Sequence, residues 1–372
     1  MKALVIGGTG PTGHFLTKGL LIRGFQVSIF HRGTHESQEL PEEVEHIHGD
    51  PHFLETIEDA LKGRNFDVVI ATYGRVRHLA QMVKGKTGRF IAVTGAPIYR
   101  GYLNPQHNTP FGLQVPVRED APLVEDPNLH RFSYLIAETE KAVMAMHKKG
   151  KFDVTCFRYP QVYGPHQLNP LEWCVIRRIL DKRPHIILPD GGLTLETRGY
   201  SENVAHGVLL AIEQPKISGG EIYNIGDEKQ LTLRQWVEVI TQVMNYDWEI
   251  VGMPETIAKP GWPMLPFQGP TSHRLMDIRK IQNQLGYTDK VSVEEALRLT
   301  INWYLKNRPE PGGETEIRLQ DPFNYQAEDQ IIELYRKSIN DIATQVSFKL
   351  PNVVHPYAHP KEQKQKRDHR QR

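Results

Sequence analysis

The first residues able to do chemistry form a glycine loop. Gly7-Gly8-Thr9-Gly10-Pro11-Thr12-Gly13 directly follows the apolar run 3–6 and opens a helical stretch. Glycines at 7, 10 and 13 permit a tight turn and let the backbone approach a pyrophosphate closely, and the helix start offers free N–H groups at a positive dipole end. This context predicts a dinucleotide site held by Gly7, Thr9, Gly10, Pro11, Thr12 and Gly13; the plainer alternative is a glycine-rich turn between strand and helix. About 20 residues after such a loop, an NAD site places an acidic residue against the ribose hydroxyls. Here the second apolar run ends in Ile29-Phe30-His31-Arg32-Gly33, with no acid. A carboxylate repels a 2′-phosphate, whereas a guanidinium holds one with two parallel hydrogen bonds, so His31 and Arg32 favour NADP over NAD.

The chain carries 17 histidines. His46 and His48 share one strand face and His52 lies close by, but no carboxylate or cysteine set completes a ligand spacing, so no metal is expected. His166, in Tyr163-Gly-Pro-His166, titrates in the range of an acid–base catalyst; its plainer alternative is a loop histidine.

Strands and helices must carry these residues. Apolar runs at 3–6, 26–30, 67–71, 89–94 and 154–158 suit strands covered on both faces. Helical stretches at 14–23, 55–61 and about 132–147 alternate with them. This is the pattern of an α/β fold, a Rossmann doubly wound parallel sheet. Residues 203–225 read as a helix and a strand returning to that sheet. Residues 1–165, with about 203–226, therefore form an NAD(P)-binding domain, and 166–202 with 227–307, rich in prolines such as Pro260, Pro263, Pro266 and Pro270, form a smaller C-terminal substrate lobe. Ser292 followed by Glu295 predicts a capping box before the helix at 296–305. Pro309-Glu-Pro-Gly-Gly313 marks a linker. In the extension 308–372, a helix at about 327–346 has an apolar stripe at Ile331, Tyr335, Ile339, Ile342 and Val346, which needs a surface on its own chain or on a partner subunit. The basic end, 361–372, reads as a solvated tail.

Further segments extend the pattern: His48-Gly-Asp50 after the third strand, Arg158-Tyr-Pro-Gln-Val-Tyr-Gly-Pro165, Tyr223-Asn-Ile-Gly226, and Leu285-Gly-Tyr287 followed by 292–304. With the Gly-x-x-Gly-x-x-Gly loop, these resemble the extended short-chain dehydrogenase/reductases, in their NAD-dependent epimerase/dehydratase family, over roughly residues 1–307. The resemblance implies a Rossmann domain with a substrate lobe. It implies that Asp50, with Pro51 beside it, meets the adenine amino group, and that Ala71, Tyr73, Tyr159, Pro160 and Val162 line the nicotinamide. It puts Gln161 on the substrate and, within a residue or two of register, Arg198 on a substrate phosphate.

The family's chemistry uses a Ser or Thr after the fifth strand and a Tyr-x-x-x-Lys on one face of the next helix, where the ammonium lowers the phenol pKa. This sequence departs from it. In Val93-Thr94-Gly95-Ala96-Pro97-Ile98-Tyr99 the serine position is Gly95, with Thr94 as its hydroxyl-bearing neighbour. In Phe132-Ser-Tyr-Leu-Ile-Ala-Glu-Thr-Glu140-Lys141, matching the family's trailing Glu-Lys places Phe132 at the Tyr and Ile136 at the Lys. A rival register uses Tyr134, and then Glu138 falls where the Lys belongs, which would raise the phenol pKa. Candidate replacements for proton transfer are Thr94, Tyr73, Tyr99, Tyr163 and His166, although positions like Tyr99 and Tyr163 mostly pack.

Composition bounds the function. The 372 residues balance 45 Lys+Arg against 44 Asp+Glu, with 39% hydrophobic residues, which excludes a disordered tail or a polybasic coat. No apolar run reaches the roughly 18 residues of a membrane span. Two cysteines, Cys156 and Cys174, and a start without a signal peptide point to a reducing compartment, the cytoplasm. Two functions remain. One is an NAD(P)-dependent oxidoreductase or epimerase-like enzyme, moving a hydride to or from a hydroxyl or carbonyl of a small, sugar-like substrate with a non-standard proton-transfer residue. The other is a catalytically decayed dinucleotide scaffold that binds RNA, like the atypical chloroplast stem-loop-binding members; the basic tail favours it and the balanced charge does not. The helical stripe predicts a homo-oligomer. Deleting residues 327–346 is expected to yield monomers by light scattering, and an unchanged mass would rule the interface out.

Overall fold

The computed structural model describes residues 1–33, 40–72, 74–351 and 362–363. Tyr73 and nearly all of the basic tail lie outside the described residues. The first half alternates as expected: β1 (Lys2–Ile6), α1 (Pro11–Ile22), β2 (Gln26–His31), β3 (Glu45–His48), α2 (Leu54–Leu61), β4 (Phe66–Ala71), α3 (Val76–Met82), β5 (Thr87–Gly95), α4 (Arg131–Lys148), β6 (Asp153–Tyr159) and β7 (Gln161–Tyr163). Then come α5 (Leu171–Leu180), β8 (His185–Pro189), β9 (Arg198–Tyr200), α6 (Ser201–Glu213), α7 (Pro215–Ser218) and β10 (Ile222–Asn224). The rest is α8 (Leu233–Val243), β11 (Glu249–Met253), α9 (Arg279–Leu285), α10 (Val293–Lys306), α11 (Glu314–Leu319) and α12 (Tyr325–Gln345).

Seven parallel strands form one sheet in the order β10-β6-β5-β4-β1-β2-β3. The order reverses between β1 and β4, the switch point where doubly wound sheets bind their ligands. Alternate strand residues feed two cores. Ala3, Val5, Val27, Ile29 and Phe157 pack under α1, α6 and α9, while Leu4, Ile6, Phe30, Val69 and Phe90 pack under α2, α3 and α4. Burial on both faces explains why these strands read as unbroken apolar runs. Gly19 of α1 lets α6 come close: a Cβ there would sit 2.3 Å from Leu209.

A third core gathers Tyr163, Trp173, Ile176, Trp236, Val237, Leu297, Ile301 and Tyr304. Trp173 packs there, and its indole N–H donates to Glu316 Oε1 at 2.9 Å. Arg178, itself buried, donates to both carboxylate oxygens of Asp321, at 2.6 and 3.2 Å. These bonds hold the chain past the proline-glycine linker, and the compact unit runs to Asn324. The second unit starts at Tyr325 with α12, which exposes Leu334, Ile339 and Ile342, as does Val346 just past its end; Ile332, rather than the expected Ile331, is its buried apolar residue. No described helix is long and apolar enough to cross a membrane.

One cap differs from expectation. The Ser292 hydroxyl accepts from Glu295 N–H, but the Glu295 side chain turns to Arg298, so only one arm of the box forms. The complete capping box is Thr232 with Gln235 at the start of α8.

Asp227 joins the sheet to the third core. Its carboxylate accepts from the Tyr163 hydroxyl at 2.8 Å, the Tyr200 N–H at 2.9 Å and the Asn203 amide at 2.9 Å. Burial pushes its pKa up to about 7 despite those bonds. The folded chain thus keeps a proton between about pH 4 and 7 that the unfolded chain releases, so this group's contribution to stability falls as pH rises through that window. Asp227→Asn is expected to remove that slope, up to about 1.4 kcal/mol per pH unit for one proton. Urea midpoints of parent and variant from pH 4.5 to 8 measure it; parallel curves would refute the assignment.

Candidate functional site

The carboxyl ends of β1, β4 and β5 and the start of α1 open into a cleft of about 1110 Å³. The glycine loop forms its floor. Gly7 takes φ 91°, which L side chains rarely adopt, and a Cβ on Gly13 would lie 2.1 Å from the Gly7 carbonyl oxygen. Gly10 is different: its Cβ would meet nothing nearer than that oxygen at 3.5 Å. Gly10 is bare toward the cleft, where a pyrophosphate would approach. Pro11 at the first helical turn loses no hydrogen bond there. Gly7, Thr9, Gly10, Pro11 and Thr12 line the cleft; Gly13 packs behind them. The bare Gly10 and the free N–H groups at the head of α1 fit the pyrophosphate of a nicotinamide dinucleotide, which these residues would hold.

At the β2 side, His31, Arg32, Gly33 and His52 line the cleft, joined by Arg75, Arg77 and His78 at the start of α3. Among the described residues that line it there is no Asp or Glu. Asp50 sits just behind, accepting from His52 N–H at 2.9 Å and approached by His52 Nδ1 at 2.8 Å. Burial opposes its ionisation, but those hydrogen bonds and the Arg32 charge outweigh it and hold the carboxyl below its usual range. Pro51 accepts the Arg75 N–H at 3.2 Å, tying the loop after β4 to the loop after β3. His31 Nε2 lies 3.0 Å from His46 Nδ1, and its ring lies 4.9 Å from that of His48. Among the described residues no cluster is suited to a metal ion.

At the β5 and β6 side, Val93, Thr94, Gly95, Tyr159, Pro160, Gln161 and Val162 line the cleft, and Thr72 takes the place next to Ala71. The α4 face toward it bears Phe132, Leu135, Ile136 and Thr139; Tyr134 and Glu138 do not line it. Their placement follows from one row. Glu140 stands four and eight residues after Ile136 and Phe132, on the same helix face. Both its oxygens are held by Arg158, at 2.9 and 2.6 Å. The Thr94 hydroxyl donates to Glu140 Oε2 at 3.3 Å, which aims it along the same row.

The other proton-transfer candidates are elsewhere. Tyr99 is fully buried, accepts from Arg158 at 2.8 Å and donates to Asn224 at 2.6 Å; burial, against the pull of Arg158, pushes its pKa up to about 12. Tyr163 donates to Asp227. His166 stacks between His14 and Trp303, at ring distances of 5.1 and 4.9 Å, and is not among the lining residues. Tyr73 lies outside the described residues. Arg198 turns into the lobe, 3.5 Å from Glu172 and 4.5 Å over the Trp236 ring, rather than into the cleft. Trp262 donates to the Glu255 carbonyl at 3.0 Å and is not among the residues that line this cleft.

Sequence reasoning missed Arg75, Arg77, Tyr102, Leu168 and Phe267. The two arginines follow β4 directly, a signal the sequence did contain. Phe267 arrives from the far end of the chain, and nothing local announces it.

Comparison with known proteins agrees with the fold. Residues 112–226 match the NAD dependent epimerase/dehydratase family, and residues 7–120 match an NAD(P)H-binding family. Chloroplast stem-loop binding protein of 41 kDa b from Arabidopsis thaliana is 26% identical over 81% of this chain and 78% of its own. UDP-N-acetyl-alpha-D-glucosaminuronate decarboxylase from Bacillus cytotoxicus is 24% identical over 82% of this chain and 97% of its own. The structure of UDP-glucose 4-epimerase from Thermotoga maritima superposes with a TM-score of 0.67 at 19% identity, covering 83% of this chain and all of that one. With these matches on the Rossmann sheet described above, the chain is similar to the NAD dependent epimerase/dehydratase family over residues 112–226 and to an NAD(P)H-binding family over residues 7–120, and it shares the fold of UDP-glucose 4-epimerase.

Proposed function

We propose that the chain is an NADP-preferring oxidoreductase or epimerase-like enzyme acting on a hydroxyl or carbonyl of a small substrate. The observation that carries this reading is the cleft itself, a glycine loop at a helix start with a cationic flank on one side and a non-standard reaction floor on the other. The bound nicotinamide supplies or accepts a hydride. The loop glycines and the start of α1 hold the pyrophosphate. Arg32, aided by His31, takes the adenosine 2′-phosphate, and the acid-free lining favours that extra charge. Thr94 is the candidate hydroxyl that remains in the cleft, and Glu140 orients it toward the substrate oxygen. Glu140 is clamped by Arg158, so Thr94 orients, and the proton is exchanged with water entering the open cleft. The exposed apolar residues of α12 support self-association as a homo-oligomer.

A second reading, a dinucleotide-bound RNA-binding scaffold, draws on Phe132 and Ile136, which put no base in the cleft, and on the stem-loop-binding relative.

Charge-assisted hydrogen bonds contribute about 1.5–3 kcal/mol. Arg32→Ala is therefore expected to weaken NADP binding roughly 10- to 100-fold in calorimetric titration and to leave NAD within about twofold. Tighter NAD than NADP binding by the parent would sink the preference. For turnover, NADPH oxidation is followed with a panel of ketones and nucleotide sugars. Thr94→Val is expected to lower kcat about tenfold or more at unchanged NADPH affinity. No turnover in the panel, with salt-dependent RNA binding that disappears on deleting residues 361–372, would establish the second reading instead.

A further inference from the structure

The cleft lining changes character along its length. The cations Arg32, Arg75, Arg77 and the nearby histidines come from β2, the loop after β3 and the start of α3. From β5 onward the described lining residues bear no charged side chain; Pro97, Phe132, Leu135, Ile136, Leu168 and Phe267 supply its apolar walls, and neutral groups such as Thr94, Gln161, Gln167 and Asn169 its polar points. The arginines of the lobe are committed elsewhere. Arg198 faces Glu172 at 3.5 Å, and Arg274, 0% exposed, faces Glu196 at 3.2 Å and donates to the Pro266 carbonyl at 3.1 Å. Among the described lining residues, a substrate pyrophosphate would find no cation on this side.

Two phenylalanines stand unburied there. Phe132 is 50% and Phe267 57% exposed, with ring centroids 6.1 Å apart. Phe267 holds φ 56° and ψ 24°, a left-handed conformation that a bulky residue adopts only at a cost. Such conformations concentrate at ligand clamps, where the surroundings force them. Here the strained backbone presents an aromatic ring to the mouth of the cleft instead of burying it.

We propose that this half of the cleft takes an uncharged aromatic ketone or alcohol, its ring or alkyl body lying against the exposed faces of the Phe132–Phe267 pair, rather than a nucleoside diphosphate sugar. The proposal names the substrate class for the dinucleotide enzyme described above and rests on that reading. Covering two half-exposed aromatic rings removes apolar surface from water, and the neutral lining leaves the ligand no charge to pair.

The test titrates the full chain, saturated with NADP⁺, with acetophenone and with UDP-glucose in a calorimeter. Acetophenone is expected to bind at least tenfold more tightly than UDP-glucose. Phe132→Ser and Phe267→Ser should each weaken the ketone about five- to thirtyfold at unchanged NADP⁺ affinity. Phe267→Gly, which relieves the backbone, should weaken the ketone similarly while Tm stays at or above that of the parent. A ring present only for packing would instead lower Tm and leave ketone affinity alone. Tighter UDP-glucose binding, or ketone binding indifferent to both phenylalanines, overturns the proposal. If NADP⁺ itself does not bind, the dinucleotide reading fails separately, and ketone titration of the cofactor-free parent and the same variants still decides this one.

Discussion

The buried pair between Arg158 and Glu140 sets the geometry on which the candidate site depends. Arg158 is 1% and Glu140 3% exposed. Removing two such charges from water costs several kcal/mol per ion, which is repaid only when the geometry is good and the remaining donors and acceptors are satisfied. Here they are. The guanidinium spans both carboxylate oxygens and uses its other nitrogen on the Tyr99 hydroxyl and the Glu119 carbonyl, each at 2.8 Å. Tyr99 passes the bond on to Asn224, which also holds the Val117 and Asp277 carbonyls. One network therefore ties α4 to the ends of β5, β6 and β10. It fixes the rotation of α4, and with it which residues of that helix meet the cleft.

That rotation decides the chemistry. Phe132 and Ile136 share the helix face of Glu140, so the row of α4 that meets the cleft is apolar. The tyrosines nearby do not compensate. Tyr102 reaches the cleft, but burial pushes its pKa up to about 12, and Tyr99 is occupied by Arg158 and Asn224. The cleft is thus cationic beside β2 and α3 and, among the described residues, uncharged from β5 onward.

Much of the fold was legible because its signals are local. A strand buried on both faces must be apolar throughout, and five runs gave themselves away in this manner. The glycine loop was legible for the same reason: Gly7 and Gly13 meet backbone constraints that other residues fail. His31 and Arg32 were legible because β2 ends at a defined distance from the loop. The lobe was less so. Its boundary shifted to Asn324 because Glu316 and Asp321 find buried partners on α5, contacts no composition change marks. Arg198 has the residue type and nearly the register of a phosphate ligand, yet Glu172 and Trp236 turn it inward. Phe267 sits in a proline-rich stretch with no period to read.

By itself, then, the sequence determined the alternation of strand and helix, the glycine loop between β1 and α1, the cation that follows β2 and the apolar residues Phe132 and Ile136 on one face of α4. Each depends on backbone geometry or spacing within a few turns of chain. The tertiary structure alone decided where long polar side chains point and which distant residues share a wall. An arginine's direction is set by the carboxylate it meets, and that carboxylate comes from another part of the chain. Arg198 with Glu172, Arg274 with Glu196 and Phe132 beside Phe267 became neighbours only when the lobe closed over the sheet.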